Sequence, residues 1–118
     1  MDNEKRDQVQ KTIKTPIIVD EHGTAMIFES LKDAELYLEP IDVRNGEYLA
    51  FDSDGRSLKL IPTTPEITIE SDELEPQHQD HVRDLLIRLL SYAGVDSEVL
   101  KKKSLQDLVE ACLPFKTK

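Results

Sequence analysis

The sequence predicts an α+β domain: a small antiparallel sheet of about five strands, with one early helix and two or three C-terminal helices packed on it. Three observations predict it. Short β-branched runs broken by Gly-containing turns fill much of residues 16–71. A stretch from Gln77 to Ala93 repeats its apolar residues at helical spacing. Between two hairpins, Ser30 followed by Asp33 marks the start of a short helix.

A length of 118 residues suits one domain with a single core. Residues 1–14 carry many charges and no apolar period, so a flexible N-terminus is expected there. Residues 15–118 form the domain, mainly sheet with one helix over 15–71 and helical over 77–113. Pro16-Ile17-Ile18-Val19 and Ala25-Met26-Ile27-Phe28 read as a hairpin around Asp20-Glu21-His22-Gly23, with positive φ expected at Gly23. Leu31, Ala34 and Leu38 share one face of the early helix, Tyr37 flanks that face, and Pro40 ends the helix. Asn45-Gly46 is a strong turn dipeptide. Tyr48–Phe51 and Leu58–Ile61 flank Asp52-Ser53-Asp54-Gly55-Arg56 as a second hairpin. Ile67 and Ile69 alternate with Glu66, Thr68 and Glu70, which predicts a further strand with one apolar and one acidic face. After the linker Ser71–Pro76, Val82, Leu85, Leu86, Leu89 and Leu90 fall at i, i+3, i+4, i+7 and i+8, and Gly94 supplies the stop. Asp96 and Ser104 are expected caps of two shorter helices. Leu105, Leu108, Val109 and Cys112 form the stripe of the last, which Pro114 halts.

The net charge of −9 is uneven. From Asp20 to Asp80 sixteen Asp and Glu face only Lys32, Arg44, Arg56 and Lys59, a balance of −12, while the rest of the chain sums to +3. Such a field repels nucleic acid and anionic membranes and attracts basic surfaces. The competing reading is that the acidity only keeps the domain soluble. No apolar run exceeds about four residues, and the charged start lacks the apolar core of a secretory signal. Cys112 is the only cysteine, so no internal disulfide forms. These features together predict a cytoplasmic protein.

Chemistry is sparse. Asp52-Ser53-Asp54-Gly55-Arg56 opens like a calcium loop, but the later oxygen ligands are missing, and a hairpin turn is the expected reading. His78 and His81 are three apart, with Asp80 and Asp84 nearby. No Cys or third His has ligand spacing, so surface histidines are expected in place of a metal site. Cys112 lies on an apolar stripe, where an inert buried thiol is the ordinary outcome. No serine sits in a Gly-flanked elbow, and there is no Gly-rich phosphate loop. The basic run Lys101–Lys103 fits a helix end better than a nucleic-acid patch. The expectation is a protein with no enzymatic activity, no cofactor and no metal.

What remains is surface. Glu66 and Glu70 on the acidic strand face, with Glu35, Glu39, Asp42 and Glu47, are the candidate contacts with a basic partner. Tyr37, Tyr48 and Tyr92 are candidate anchors inside such a rim, and core-edge packing is the alternative role for Tyr48.

Particular residues also resemble a known family. Pro16-Ile-Ile-Val-Asp-Glu-His-Gly23, Phe28-Glu-Ser30, Ala34-Glu-Leu-Tyr-Leu-Glu-Pro-Ile-Asp-Val43, Gly46-Glu-Tyr48 and Asp54-Gly55-Arg56 resemble small bacterial immunity proteins of contact-dependent growth inhibition and related polymorphic toxin systems. The resemblance covers about residues 16–61 and carries no catalytic group. It implies a cytoplasmic protein that binds a cognate toxin domain, often a nuclease, and blocks its active site or a neighbouring surface. No interface residue is transferred by it. Two other readings stay open: an adaptor or regulatory domain that binds a basic protein segment, and a small metal- or ligand-binding domain using His78 and His81.

Overall fold

The computed structural model describes residues 13–117. The chain runs β1 (Ile17–Glu21), β2 (Thr24–Phe28), α1 (Leu31–Tyr37), α2 (Pro40–Arg44), β3 (Leu49–Phe51), β4 (Ser57–Ile61), β5 (Thr68–Ser71), α3 (Gln79–Tyr92), α4 (Ser97–Leu100), α5 (Leu105–Cys112) and a closing 3-10 turn, Leu113–Phe115. The strands form one antiparallel sheet in the order β2-β1-β3-β4-β5, the α+β architecture expected. Among the described residues, no helix is long and apolar enough to cross a membrane.

Helices cover both faces of the sheet. Ile18, Ile27 and Phe51 turn to one face, where they meet Val82, Leu85, Leu86 and Leu90 of α3, Leu100 of α4, and the stripe of α5 that ends at Cys112. Ile17, Val19, Phe28, Ala50, Leu58 and Ile69 turn to the other, against Ala34 of α1, Leu38 just beyond it and Val43 of α2. Because β1 is buried on both sides, Ile17-Ile18-Val19 is a continuous apolar run and not an alternating one.

Local chemistry sets the turns. At the β1–β2 hairpin His22 has φ 52° and Gly23 φ 93°, the pair of positive angles that a twisted two-residue turn requires. Asp20 Oδ1 accepts from Gly23 N at 2.6 Å and fixes the corner. Helix starts follow the cap residues. Ser30 Oγ accepts from Asp33 N at 3.1 Å, Asp96 Oδ1 from Glu98 N at 2.9 Å, and Ser104 Oγ from Asp107 N at 3.1 Å.

The single early helix is in fact two. α1 ends at Tyr37, with Leu38 and Glu39 extended, and Pro40 opens α2 at its first position. A proline that forces its predecessor out of the helical region also suits a first helical turn, since that turn needs neither its N–H nor another φ. Pro114 behaves likewise: it lies inside the 3-10 turn that continues α5.

The β3–β4 turn ties the layers together. The Asp52 carboxylate is fully buried. Its Oδ1 accepts from Asp54 N at 3.0 Å and Arg56 N at 2.9 Å, and its Oδ2 from Arg56 Nη1 at 3.2 Å and Lys14 N at 3.3 Å. Arg56 Nε in turn donates to Leu74 O at 2.7 Å and holds the linker. The turn carbonyl of Gly55 accepts from His78 N at 2.9 Å, so α3 starts on the turn itself. Gly55 has φ 93°, and a Cβ there would lie 2.9 Å from the Gln79 backbone; only glycine fits.

Each edge strand of the sheet has one outward backbone group taken up by the chain itself, which blunts pairing with another chain there. On β2, Ile27 O accepts from Thr117 N at 2.7 Å. On β5, Ile69 N donates to Glu35 Oε2 at 2.8 Å. Of the start expected to be flexible, Met1–Thr12 lie outside the described residues. Ile13 packs on the α1-side core, and Lys14 O accepts from Ser53 N at 2.9 Å.

Replacing Asp52 by alanine strands three backbone N–H groups, those of Asp54, Arg56 and Lys14, and removes one of the carboxylates that hold the Arg56 guanidinium. A loss of about 3–5 kcal/mol in urea unfolding is expected, as for other broken buried pairs. Asp52→Asn keeps one acceptor for the two turn N–H groups and should lose clearly less. Equal losses would mean that the turn hydrogen bonds contribute little.

Candidate functional site

The acidic residues separate into two groups. At one end of the α1–α2 layer, Glu21 ends β1, Glu39 caps α2, Asp42 lies within α2 and Glu47 follows it. Asp42, Glu21 and Glu39 act on Tyr48, and Glu47 pairs with His22. The Tyr48 hydroxyl donates to Asp42 Oδ2 at 3.2 Å, and its ring packs against the α1-side core. Burial, then the Asp42 charge and hydrogen bond, then Glu21 and Glu39, push the phenol up to about 12. Tyr48 therefore stays a neutral donor at physiological pH.

His22 marks the neighbouring corner. Its Nε2 lies 2.6 Å from Glu47 Oε2, and that hydrogen bond and charge, with smaller contributions from Glu21 and Asp20, raise its pKa above the ordinary 6.5 against a small desolvation cost. Glu21 contributes at both Tyr48 and His22, linking the Glu39–Asp42 and Asp20–Glu47 carboxylates into one negative region.

The other group is built into the fold. Glu35 takes up the Ile69 N–H on the β5 edge. Glu66 Oε1 meets Lys32 Nζ at 3.1 Å, and Glu70 stands across from Lys59 in the β4–β5 register. Of the seven candidate contacts, Glu39, Asp42 and Glu47 come together. Glu35, Glu66 and Glu70 belong to the β5 side. Tyr37 ends α1 two residues before Glu39, with its ring 5.4 Å from that of Phe28.

Sequence reasoning named Tyr37 but missed Glu21, Leu36 and Ile41 in this layer. Leu36, Tyr37 and Ile41 are 62%, 47% and 58% exposed. The signal for Leu36 was present: it lies off the Leu31–Ala34–Leu38 stripe, so the helix period already turns it outward. Tyr92, the most exposed aromatic, stands on α3 behind the opposite face of the sheet.

The histidines of α3 have local partners. His81 Nε2 is 3.0 Å from Asp20 Oδ2 and His78 Nε2 is 2.7 Å from Glu73 Oε1, with their rings 5.2 and 5.6 Å from that of Phe51. Among the described residues, no group of three or more His, Cys, Asp or Glu is disposed to hold a metal ion. Cys112 is fully buried, and burial raises its thiol to about 11, which disfavours the reactive thiolate. Comparison of the chain with protein-family profiles, curated proteins and solved structures finds no match.

A proton-detected titration of His22 should give a midpoint above 6.5, moving back toward 6.5 in Glu47→Gln. Because the folded-state pKa is raised, the contact's contribution to stability is complete below the unfolded value and is lost as pH rises through the folded midpoint. A native midpoint at or below 6.5 would contradict the negative region around His22.

Proposed function

We propose that this chain is a non-enzymatic binding protein whose α1–α2 layer seats a basic protein partner, and that it serves as a cytoplasmic immunity protein for a cognate toxin domain, often a nuclease in such systems. The observation that carries the reading is the composition of that layer. Exposed Leu36 and Tyr37 lie on α1 and Ile41 on α2, with Glu39 between the two helices, Asp42 within α2, the Glu47 N–H bonded back to the Asp42 carbonyl, and Glu21 near Tyr48. Apolar and aromatic anchors beside a charged rim make up the anatomy of a protein–protein interface. The sign of the rim selects a basic partner and speeds its capture, an advantage where a toxic partner must be caught early. The resemblance of residues 16–61 to immunity proteins supports the narrower assignment independently of the charge.

The test is to mix the purified chain with the basic toxin domain encoded beside it. A stoichiometric complex on a sizing column and loss of toxin activity are expected. Persistent toxin activity without a complex would remove the proposal, and binding without inhibition would make the chain an adaptor. A second measurement addresses steering. Glu21→Lys with Glu39→Lys should slow association about tenfold or more and barely change dissociation, and added salt should act in the same direction on the unaltered protein. A flat response of the association rate to both would remove the steering role.

A further inference from the structure

The α1–α2 layer contains a cleft whose chemistry selects a particular side chain. It has a volume of about 380 Å³ and lies between α1 and the segment after the closing 3-10 turn. Half-exposed Tyr37, its ring backed by that of buried Phe28 at 5.4 Å, forms the aromatic wall, and Leu36 adds an apolar side. Two carboxylates border the same space, Glu29 after β2 and Asp33 in the first turn of α1.

One of these acids already holds a cation. Lys116 Nζ is 2.6 Å from Glu29 Oε1, with both side chains substantially exposed. The Asp33 carboxylate has no ion pair or hydrogen bond among the described residues; its backbone N–H is held by Ser30. An aromatic wall next to paired carboxylates attracts a cation carried on an apolar stem, through the ring quadrupole and the ion pairs together. A planar guanidinium suits such a wall better than an ammonium, because it stacks and donates in a fork. An exposed Lys116–Glu29 pair is weak and gives way readily to a competing cation.

We infer that this cleft receives an arginine side chain of the basic partner. Its stem lies along Leu36 and Tyr37 and its guanidinium rests on Asp33 and Glu29, with Lys116 as the resident cation it displaces. The inference rests on the binding role proposed above and names the contact that anchors it.

N-acetyl-arginine N-methylamide is the probe, titrated into the isotope-labelled protein at constant ionic strength, with the neutral citrulline analogue as control. Saturable amide shifts confined to Phe28, Glu29, Asp33, Leu36 and Tyr37 are expected. Their dissociation constant should be on the order of 1–10 mM, as one cation–π contact and exposed ion pairs allow. Citrulline should bind at least about tenfold more weakly, because it keeps the shape and loses the charge. Asp33→Asn should weaken arginine binding about fivefold, and Lys116→Met, which vacates Glu29, should tighten it about two- to fivefold. A merely structural role for Lys116 would not give tightening. Equal shifts with citrulline, shifts outside the cleft, no saturable shifts, or an affinity that Lys116→Met leaves unchanged or lowers would each overturn the assignment. If the chain still captures its basic partner in that event, only the cleft assignment fails and the acidic binding layer stands.

Discussion

One buried carboxylate sets the geometry on which the other parts depend. Asp52 sits with no solvent exposure at the β3–β4 turn and satisfies two turn N–H groups, the Arg56 guanidinium and the Lys14 backbone. A charge in that position is tolerated only because every part of it is hydrogen-bonded. Through Arg56 it fixes the linker at Leu74, and through the Gly55 carbonyl it fixes the first turn of α3. The two strands, the entering chain and the C-terminal helices thus share a single anchor. Moving the entering chain or either strand breaks a hydrogen bond to this buried carboxylate.

With that anchor in place, the two faces of the sheet divide the work. The α3–α5 side holds the larger apolar cluster, including Leu86 and Leu108, both fully buried. The α1–α2 side is thin. Helices of seven and five residues do not persist alone, so Ala34, Leu38 and Val43 hold them by packing on Ile17, Val19 and Phe28. A thin layer has one inward row and leaves its other rows to solvent. That is why Leu36 and Ile41 are exposed beside Glu39 and Asp42, and why the surface proposed for binding lies here and not over α3.

Local signals in the sequence were legible, and long-range ones were not. Ser30, Asp96 and Ser104 act within three residues of themselves, and each caps the helix its spacing indicates. Gly23 and Gly55 mark their turns for the same reason. Pro40 was readable as a helix boundary, but whether it only ends one helix or also begins the next depends on Val43 reaching the core. Glu35 reads as a surface acid because nothing near it in sequence needs an acceptor. Its partner, the Ile69 N–H, is thirty-four residues away and becomes an orphan only when β5 lies at the sheet edge. The acidic cluster was half legible for the same reason: Glu39, Asp42 and Glu47 are close in sequence, whereas Glu21 joins them only through sheet pairing.

The central proposition is that the α1–α2 layer is the docking face and the α3–α5 layer is its support. Amide hydrogen exchange on the chain with and without its bound basic partner tests this most directly, because protection reports contact residue by residue. Slowed exchange concentrated in residues 28–48, with 79–112 unchanged, is the expected result. Protection concentrated in 79–112, leaving 28–48 as in the free chain, would contradict it.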